Sequence, residues 1–183
     1  MSARSPFRTP PSLRVILLMG VAGSGKSTMG EALAQEFAWP YRDADSFHPQ
    51  ANIDKMSRGE ALTDADRWPW LDAIAAWIDD RRARDERGIV SCSALKRVYR
   101  DRLLTGRADV RLVYLQGDKT LIGSRMAKRE DHFMPTALLD SQFAALEEPT
   151  QAEGAIIAPI NASPRRISEF ILAAIAQAGD SQV

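Results

Sequence analysis

Gly20-Val-Ala-Gly-Ser-Gly-Lys26-Ser27 stands between a short apolar run, Arg14–Met19, and a segment carrying Met29, Leu33 and Phe37 at four-residue spacing. The eight residues fit G-x-x-x-x-G-K-[ST], and their flanks read as a buried strand followed by a helix. This order constrains the fold strongly, because the pattern works only where a strand feeds a tight turn into a helix N-terminus. Gly20, Gly23 and Gly25 free the backbone to turn, so that N–H groups of Val21, Ala22 and Ser24 can face an anion. The start of the helix, including Thr28, adds its positive dipole end. Lys26 has the reach to meet the β- and γ-phosphates of a nucleoside triphosphate, and the Ser27 hydroxyl suits Mg²⁺.

The rest of the chain repeats the strand–helix alternation. Strands are expected at Tyr41–Asp43, Ile89–Cys92, Val110–Leu115 and Ala155–Ile160. Helices are expected over 49–58, 96–104, 118–128 and 135–146, and in a last segment capped by Ser163 with Pro164 at its first position. Another helix is capped by Thr63 or Asp66, carries Pro69 in its first turn, and buries Trp70, Leu71, Ile74, Trp77 and Ile78 on one face. The charged run Asp79–Arg87 reads as its solvated end, closed by Gly88. Short apolar strands alternating with helices predict an α/β fold, a parallel sheet covered on both faces. Ligands of such sheets bind beyond the carboxyl ends of the strands.

Composition narrows the function classes. In 183 residues, 24 Lys+Arg balance 24 Asp+Glu, which argues against a nucleic-acid binder. The one cysteine, Cys92, excludes a disulfide framework or a multi-thiolate zinc site and reads as a packed thiol. No apolar run approaches the roughly 18 residues of a membrane span. A cytoplasmic chain is expected: a loose arm over 1–13, one domain over 14–178 and a tail over 179–183. Arg4 and Arg8 lack acidic neighbours, which leaves an organellar leader open. A secretory signal would need an apolar stretch of about 7–15 residues, and none follows.

An acidic pair is expected at the mouth of the sheet where the second strand ends, at Asp43-Ala-Asp45. The third strand ends in Ser91-Cys92-Ser93 and the fourth in Leu115-Gln116, so neither offers the acid that often assists Mg²⁺. The two aspartates are expected to face different ways, one toward the metal and one toward the acceptor. Asp43 then serves Mg²⁺ through its water shell, and Asp45 orients an acceptor hydroxyl and takes its proton. The bland alternative is a polar loop. No N-K-x-D guanine motif occurs; Asn52-Ile-Asp-Lys55 has similar letters in the wrong order.

Beyond the phosphate loop, several segments agree with one family in order and spacing. They are Asp43-Ala-Asp45-Ser-Phe-His48-Pro49, Asn52-Ile-Asp-Lys55-Met56, Leu62-Thr-Asp64-Ala-Asp66-Arg67-Trp-Pro-Trp70-Leu71, Cys92-Ser93-Ala-Leu-Lys96 with Tyr99-Arg100-Asp101, His132-Phe133, and Gln142-Phe143 with Leu146 and Glu147. From about Arg14 to Ile175 the chain resembles the gluconokinase family. The resemblance implies ATP- and Mg²⁺-dependent phosphorylation of D-gluconate to 6-phosphogluconate. It also implies a shikimate-kinase-like fold with sheet order 2-3-1-4-5 and a lid near 125–135, and commonly a homodimer, with no nucleic-acid or membrane partner.

For a polyhydroxy carboxylate the candidate pocket residues are His48, Lys55, Arg67, Lys96 and Arg100, with His132 carried over from the motif. Which cation holds the carboxylate stays open; Arg67 and Arg100 lead because a guanidinium can clamp it bidentately. The resemblance makes Arg125 and Arg129, four apart on one helix face, lid residues that stabilise the transferred phosphoryl group. Asn161 follows the fifth strand where related kinases contact adenine, a place where family members often have Asp. Two other readings remain: a kinase of another small acceptor such as shikimate, and a nucleotide-dependent switch or binding module.

Overall fold

The computed structural model describes residues 10–127 and 136–180. Five parallel strands form one sheet in the order β2-β3-β1-β4-β5. They are β1 (Val15–Met19), β2 (Tyr41–Asp43), β3 (Gly88–Ser91), β4 (Val110–Gln116) and β5 (Ile156–Pro159). The helices are α1 (Lys26–Phe37), α2 (Gln50–Ser57), α3 (Asp64–Ala83), α4 (Arg97–Leu104), α5 (Lys119–Ala127), α6 (Thr136–Ala145) and α7 (Pro164–Asp180). The expected α/β class and sheet order are those observed. Among the described residues, no helix is long and apolar enough to cross a membrane.

β1 explains the layering. All five of its residues are buried, and their alternation divides them between two cores. Ile16 and Leu18 join Leu33 of α1, Ile122 of α5, Leu139 of α6 and Ile171 of α7 on one face. Val15, Leu17 and Met19 join Leu71, Ile74 and Ile78 of α3 and Leu103 of α4 on the other. With both faces covered and β1 central, the loop after Met19 emerges in the middle of the sheet's carboxyl edge.

Helix α3 begins in a full capping box. Thr63 Oγ1 accepts from the Asp66 N–H (3.3 Å) and Asp66 Oδ2 accepts from the Thr63 N–H (2.7 Å). Pro69 lies in the second turn rather than the first, so it withholds a hydrogen bond from the Ala65 carbonyl inside the helix. The run 79–87 also departs from expectation. The helix ends at Ala83, and its charges are not simply solvated. Arg82 binds Asp109 (2.6 Å) and Asp79 (3.0 Å), and Arg107 closes on Asp79 through two bonds (2.7 and 2.6 Å). Gly88 opens β3 instead of ending the helix; a Cβ there would lie 2.6 Å from the Trp77 ring.

Candidate active site

The loop between β1 and α1 has the shape of an anion cradle. Gly23 (φ 79°) and Gly25 (φ 94°) adopt backbone that L side chains rarely take. A Cβ on Gly20 would come within 2.5 Å of Ser24 Oγ, and one on Gly23 within 2.6 Å of Met126. Lys26 folds its Nζ back over the loop onto the carbonyls of Gly20 (2.9 Å) and Val21 (3.0 Å). Burial lowers its pKa, opposed in part by the charges of Asp43 and Asp45. Ser24 Oγ is buried with no partner among the described residues, a polar atom left to a ligand of the loop. These features fit a polyphosphate. Thr28 stands at the exposed start of α1. The Ala22 N–H is engaged by Gln142 Oε1 of α6 (2.6 Å), a contact between residues far apart in the chain.

Beside the cradle, Ser27 Oγ donates to Asp43 Oδ2 (3.2 Å). Tyr41 OH reaches the same carboxylate oxygen (3.3 Å) and is itself bonded to Ser91 Oγ (2.8 Å). A hydroxyl and a carboxylate held together are hard oxygen ligands of the kind Mg²⁺ takes while keeping waters and phosphate oxygens. Among the described residues no group of three or more His, Cys, Asp and Glu forms an all-protein cage.

Extended chain would put residues two apart on one side, so any divergence of Asp43 and Asp45 comes from a turn. The chain turns into a 3₁₀ helix, Ala44–Phe47, and the Asp45 N–H donates to Asp43 Oδ1 (3.0 Å). The short side chain of Asp43 caps the turn, which is why β2 stops there. Asp45 is left exposed at the mouth, 4.0 Å from His48 Nε2. Desolvation at the mouth and then the Asp43 charge raise its pKa above the usual carboxylate range. His48 stacks on Trp70 (centroids 4.5 Å apart, 9° between planes), whose Nε1 donates to the Ala44 carbonyl (2.7 Å). Burial, aided by the Arg67 charge and opposed by Asp45, lowers the His48 pKa and keeps the ring neutral near pH 7. The buried Asn52 amide donates to the Asp66 carbonyl (2.8 Å) and lies 3.4 Å from His48 Nδ1, an assignment that leaves the ring proton on Nε2.

The candidate cations separate by what they already hold. Lys55 is bound to Asp66 (2.7 Å), whose carboxyl is pulled down to about 2 by that lysine and by Thr63. Lys96 meets both oxygens of Asp64 at 3.0 Å, and Tyr99 OH donates to Oδ1 (2.5 Å). Arg67 approaches Asp64 only to 3.6 Å, and its side chain forms no hydrogen bond among the described residues. Arg100 must be reassigned. It is 1 % exposed, clamps Glu153 through Nε (2.6 Å) and Nη2 (3.1 Å), and donates to the Ala94 and Leu95 carbonyls. With its donors committed in this way, it braces the loop before α4 and is not placed to hold a substrate.

Arg125 of α5 donates to the carbonyls of Ile160 and Ala162, which flank the exposed Asn161, so the two expected nucleotide residues share one corner of the site. Arg129 and His132, and most of the expected lid, lie outside the described residues. So do the ends of the expected arm and tail. Cys92 is buried and its thiol is pushed up to about 12, as a packed thiol should be.

A family model described as an AAA domain matches residues 15–149. The thermosensitive gluconokinase of Escherichia coli is 45% identical over 141 residues, spanning 77% of this chain and 75% of that protein. The chain belongs to the gluconokinase family. A crystal structure of a gluconokinase from Sinorhizobium meliloti superposes with a TM-score of 0.84 at 40% identity, over 95% of this chain and 97% of that one. At 14% identity the shikimate kinase of Aquifex aeolicus shares the fold alone (TM-score 0.54, 92% of this chain and 99% of that one). Membership in the gluconokinase family thus agrees with the sheet order and the cradle. Gln142 was visible in the sequence only as part of a matching motif; a glutamine among Leu138, Leu139 and Phe143 was the available signal for a role.

Proposed function

We propose that this gluconokinase-family chain transfers the γ-phosphoryl group of ATP to D-gluconate, giving 6-phospho-D-gluconate and ADP. One observation carries the reading. In a chain of this family, the anion cradle and the Asp43–Asp45–His48 turn sit side by side at the carboxyl edge of the sheet, joined by the Ser27–Asp43 contact.

Backbone N–H groups of the loop hold the β- and γ-phosphates, and Lys26 exchanges its carbonyl partners for phosphate oxygens. Asp45 accepts the hydroxyl proton of gluconate. The hydroxyl oxygen bonds to the γ-phosphorus while the bond from that phosphorus to the β–γ bridging oxygen breaks, and ADP carries away the electron pair. His48, neutral and donating from Nε2, orients the acceptor. Arg67 takes the gluconate carboxylate, while Lys55 and Lys96 hold the Asp66 and Asp64 carboxylates that frame it. Arg125, expected at the transferred phosphoryl group, is instead engaged by the Ile160 and Ala162 carbonyls and is read as serving the nucleotide's adenine side with Asn161. Mg²⁺ held by Ser27, and through water by Asp43, would offset phosphate charge. The enzyme is proposed to work as a cytoplasmic homodimer, a reading supported by the family resemblance.

The test is an acceptor panel in an assay coupled to ADP release. Gluconate should give the highest kcat/KM among sugar acids and shikimate. A clear preference for shikimate or another acid would overturn the substrate assignment and leave the kinase reading intact.

A further inference from the structure

Helix α6 reaches the phosphate loop from 120 residues away in sequence. Gln142 Oε1 accepts the Ala22 N–H at 2.6 Å. The helix is anchored for this by Leu139, which is buried in the core that also holds Val21 and Ile122, with Phe143 packed against it. Helix α5 meets the next loop residue: Met126 and Ile122 lie where a Cβ on Gly23 would fall. Two helices thus meet the cradle at consecutive residues, one through packing and one through a hydrogen bond.

We propose that Gln142 is a positioning residue of the nucleotide site, setting the Ala22 peptide and with it the curvature of the cradle around the phosphates. The inference rests on the reading of the loop as an ATP site, but not on the identity of the acceptor. Three pieces of chemistry support it. The Val21–Ala22 peptide is held at its carbonyl by Lys26 Nζ (3.0 Å) and the Ser24 N–H (3.2 Å), and once Lys26 turns to phosphate the Gln142 bond keeps the N–H end of that peptide in place. A glutamine holds that N–H with a neutral oxygen. A glutamate would accept more strongly but would place a negative charge beside a polyphosphate. The Gln142 amino group has no partner among the described residues, so the side chain is spent on this one protein contact.

The experiment measures ATP binding by calorimetry without acceptor, then KM for ATP and for gluconate separately, on the full chain. Gln142→Ala should weaken ATP binding several-fold, up to about tenfold for one lost hydrogen bond, with KM for gluconate unchanged. Gln142→Glu keeps an acceptor for Ala22 and should melt like the wild type, yet bind ATP more weakly than Gln142→Ala because it adds charge. Unchanged ATP affinity in Gln142→Ala, or parallel losses for ATP and gluconate, would overturn the proposal. So would a Gln142→Glu protein that binds ATP as well as the wild type. If the wild type itself binds no ATP, it is the nucleotide reading of the loop that fails.

Discussion

Arg67 stands 3.6 Å from Asp64 with no side-chain hydrogen bond among the described residues, so its planar fork of donors is available to an incoming carboxylate. Arg67→Met should therefore raise KM for gluconate by about 10- to 100-fold, the worth of charge-assisted hydrogen bonds, with little change in Tm. Arg100→Met should do the reverse. It leaves the buried Glu153 carboxylate only the Thr150 N–H (3.1 Å) and the more distant Arg97 (3.8 Å), so it should lower stability by about 3 kcal/mol and leave KM for gluconate near wild type in the folded fraction. Denaturant melts and steady-state kinetics on both variants separate the two roles. The sequence offered no way to tell these arginines apart, because the Arg100 partner lies 53 residues further on and is brought in only by the chain returning toward β5. Asp45 carries a second prediction. It accepts a proton only when ionised, and desolvation with the Asp43 charge sets its pKa above the ordinary range. The rate should fall on acidification through that raised value. Asp43→Asn removes one cause and should move the acid limb to lower pH, while Asp45→Asn should lower kcat by about 100-fold or more. An acid limb that stays in place in Asp43→Asn would contradict the coupling.

At the scale of elements, the start of α3 serves both stability and site, because Asp66 closes the capping box and also holds Lys55. Its folded pKa is about 2, below the ordinary carboxylate value of 3.8, so its contribution is present above that ordinary value. It is lost as pH falls through about 2. Asp66→Asn should thus melt below wild type at pH 7, and the gap should close as the two are compared at decreasing pH between those values. A gap that persists unchanged would show that the carboxylate charge is not what stabilises the cap. Most elements were legible because β1 and α1 carry strong local signals, an apolar run and a glycine turn, whereas β2 is only three residues with none fully buried and signals itself weakly. The 3₁₀ turn at Asp45 was not legible, since Asp43 capping it competes with extension by a margin that periodicity does not register. Pro69 was displaced by one turn because the cap was shared between two candidates, and Thr63 wins by forming both halves of the box.

Across the whole molecule, equal numbers of acidic and basic residues conceal a sorted arrangement. Lys55, Lys96 and Arg67 gather around Asp64 and Asp66 near the acceptor turn. The run Asp79–Arg87, expected as a solvated helix end, instead contributes Asp79 and Arg82 to a network with Arg107 and Asp109. The parallel sheet with β1 at its centre places the cradle, the Asp43–Asp45 turn and the Arg125 corner along one edge, so a nucleotide and a small acceptor can meet there without a second domain. Direct transfer between them is the central claim. It is tested most directly by phosphorus NMR of the purified chain with Mg·ATP and D-gluconate. One 6-phosphogluconate should form per ADP, with negligible ATP loss when gluconate is omitted. ATP consumption that yields inorganic phosphate at the same rate with or without gluconate would contradict it.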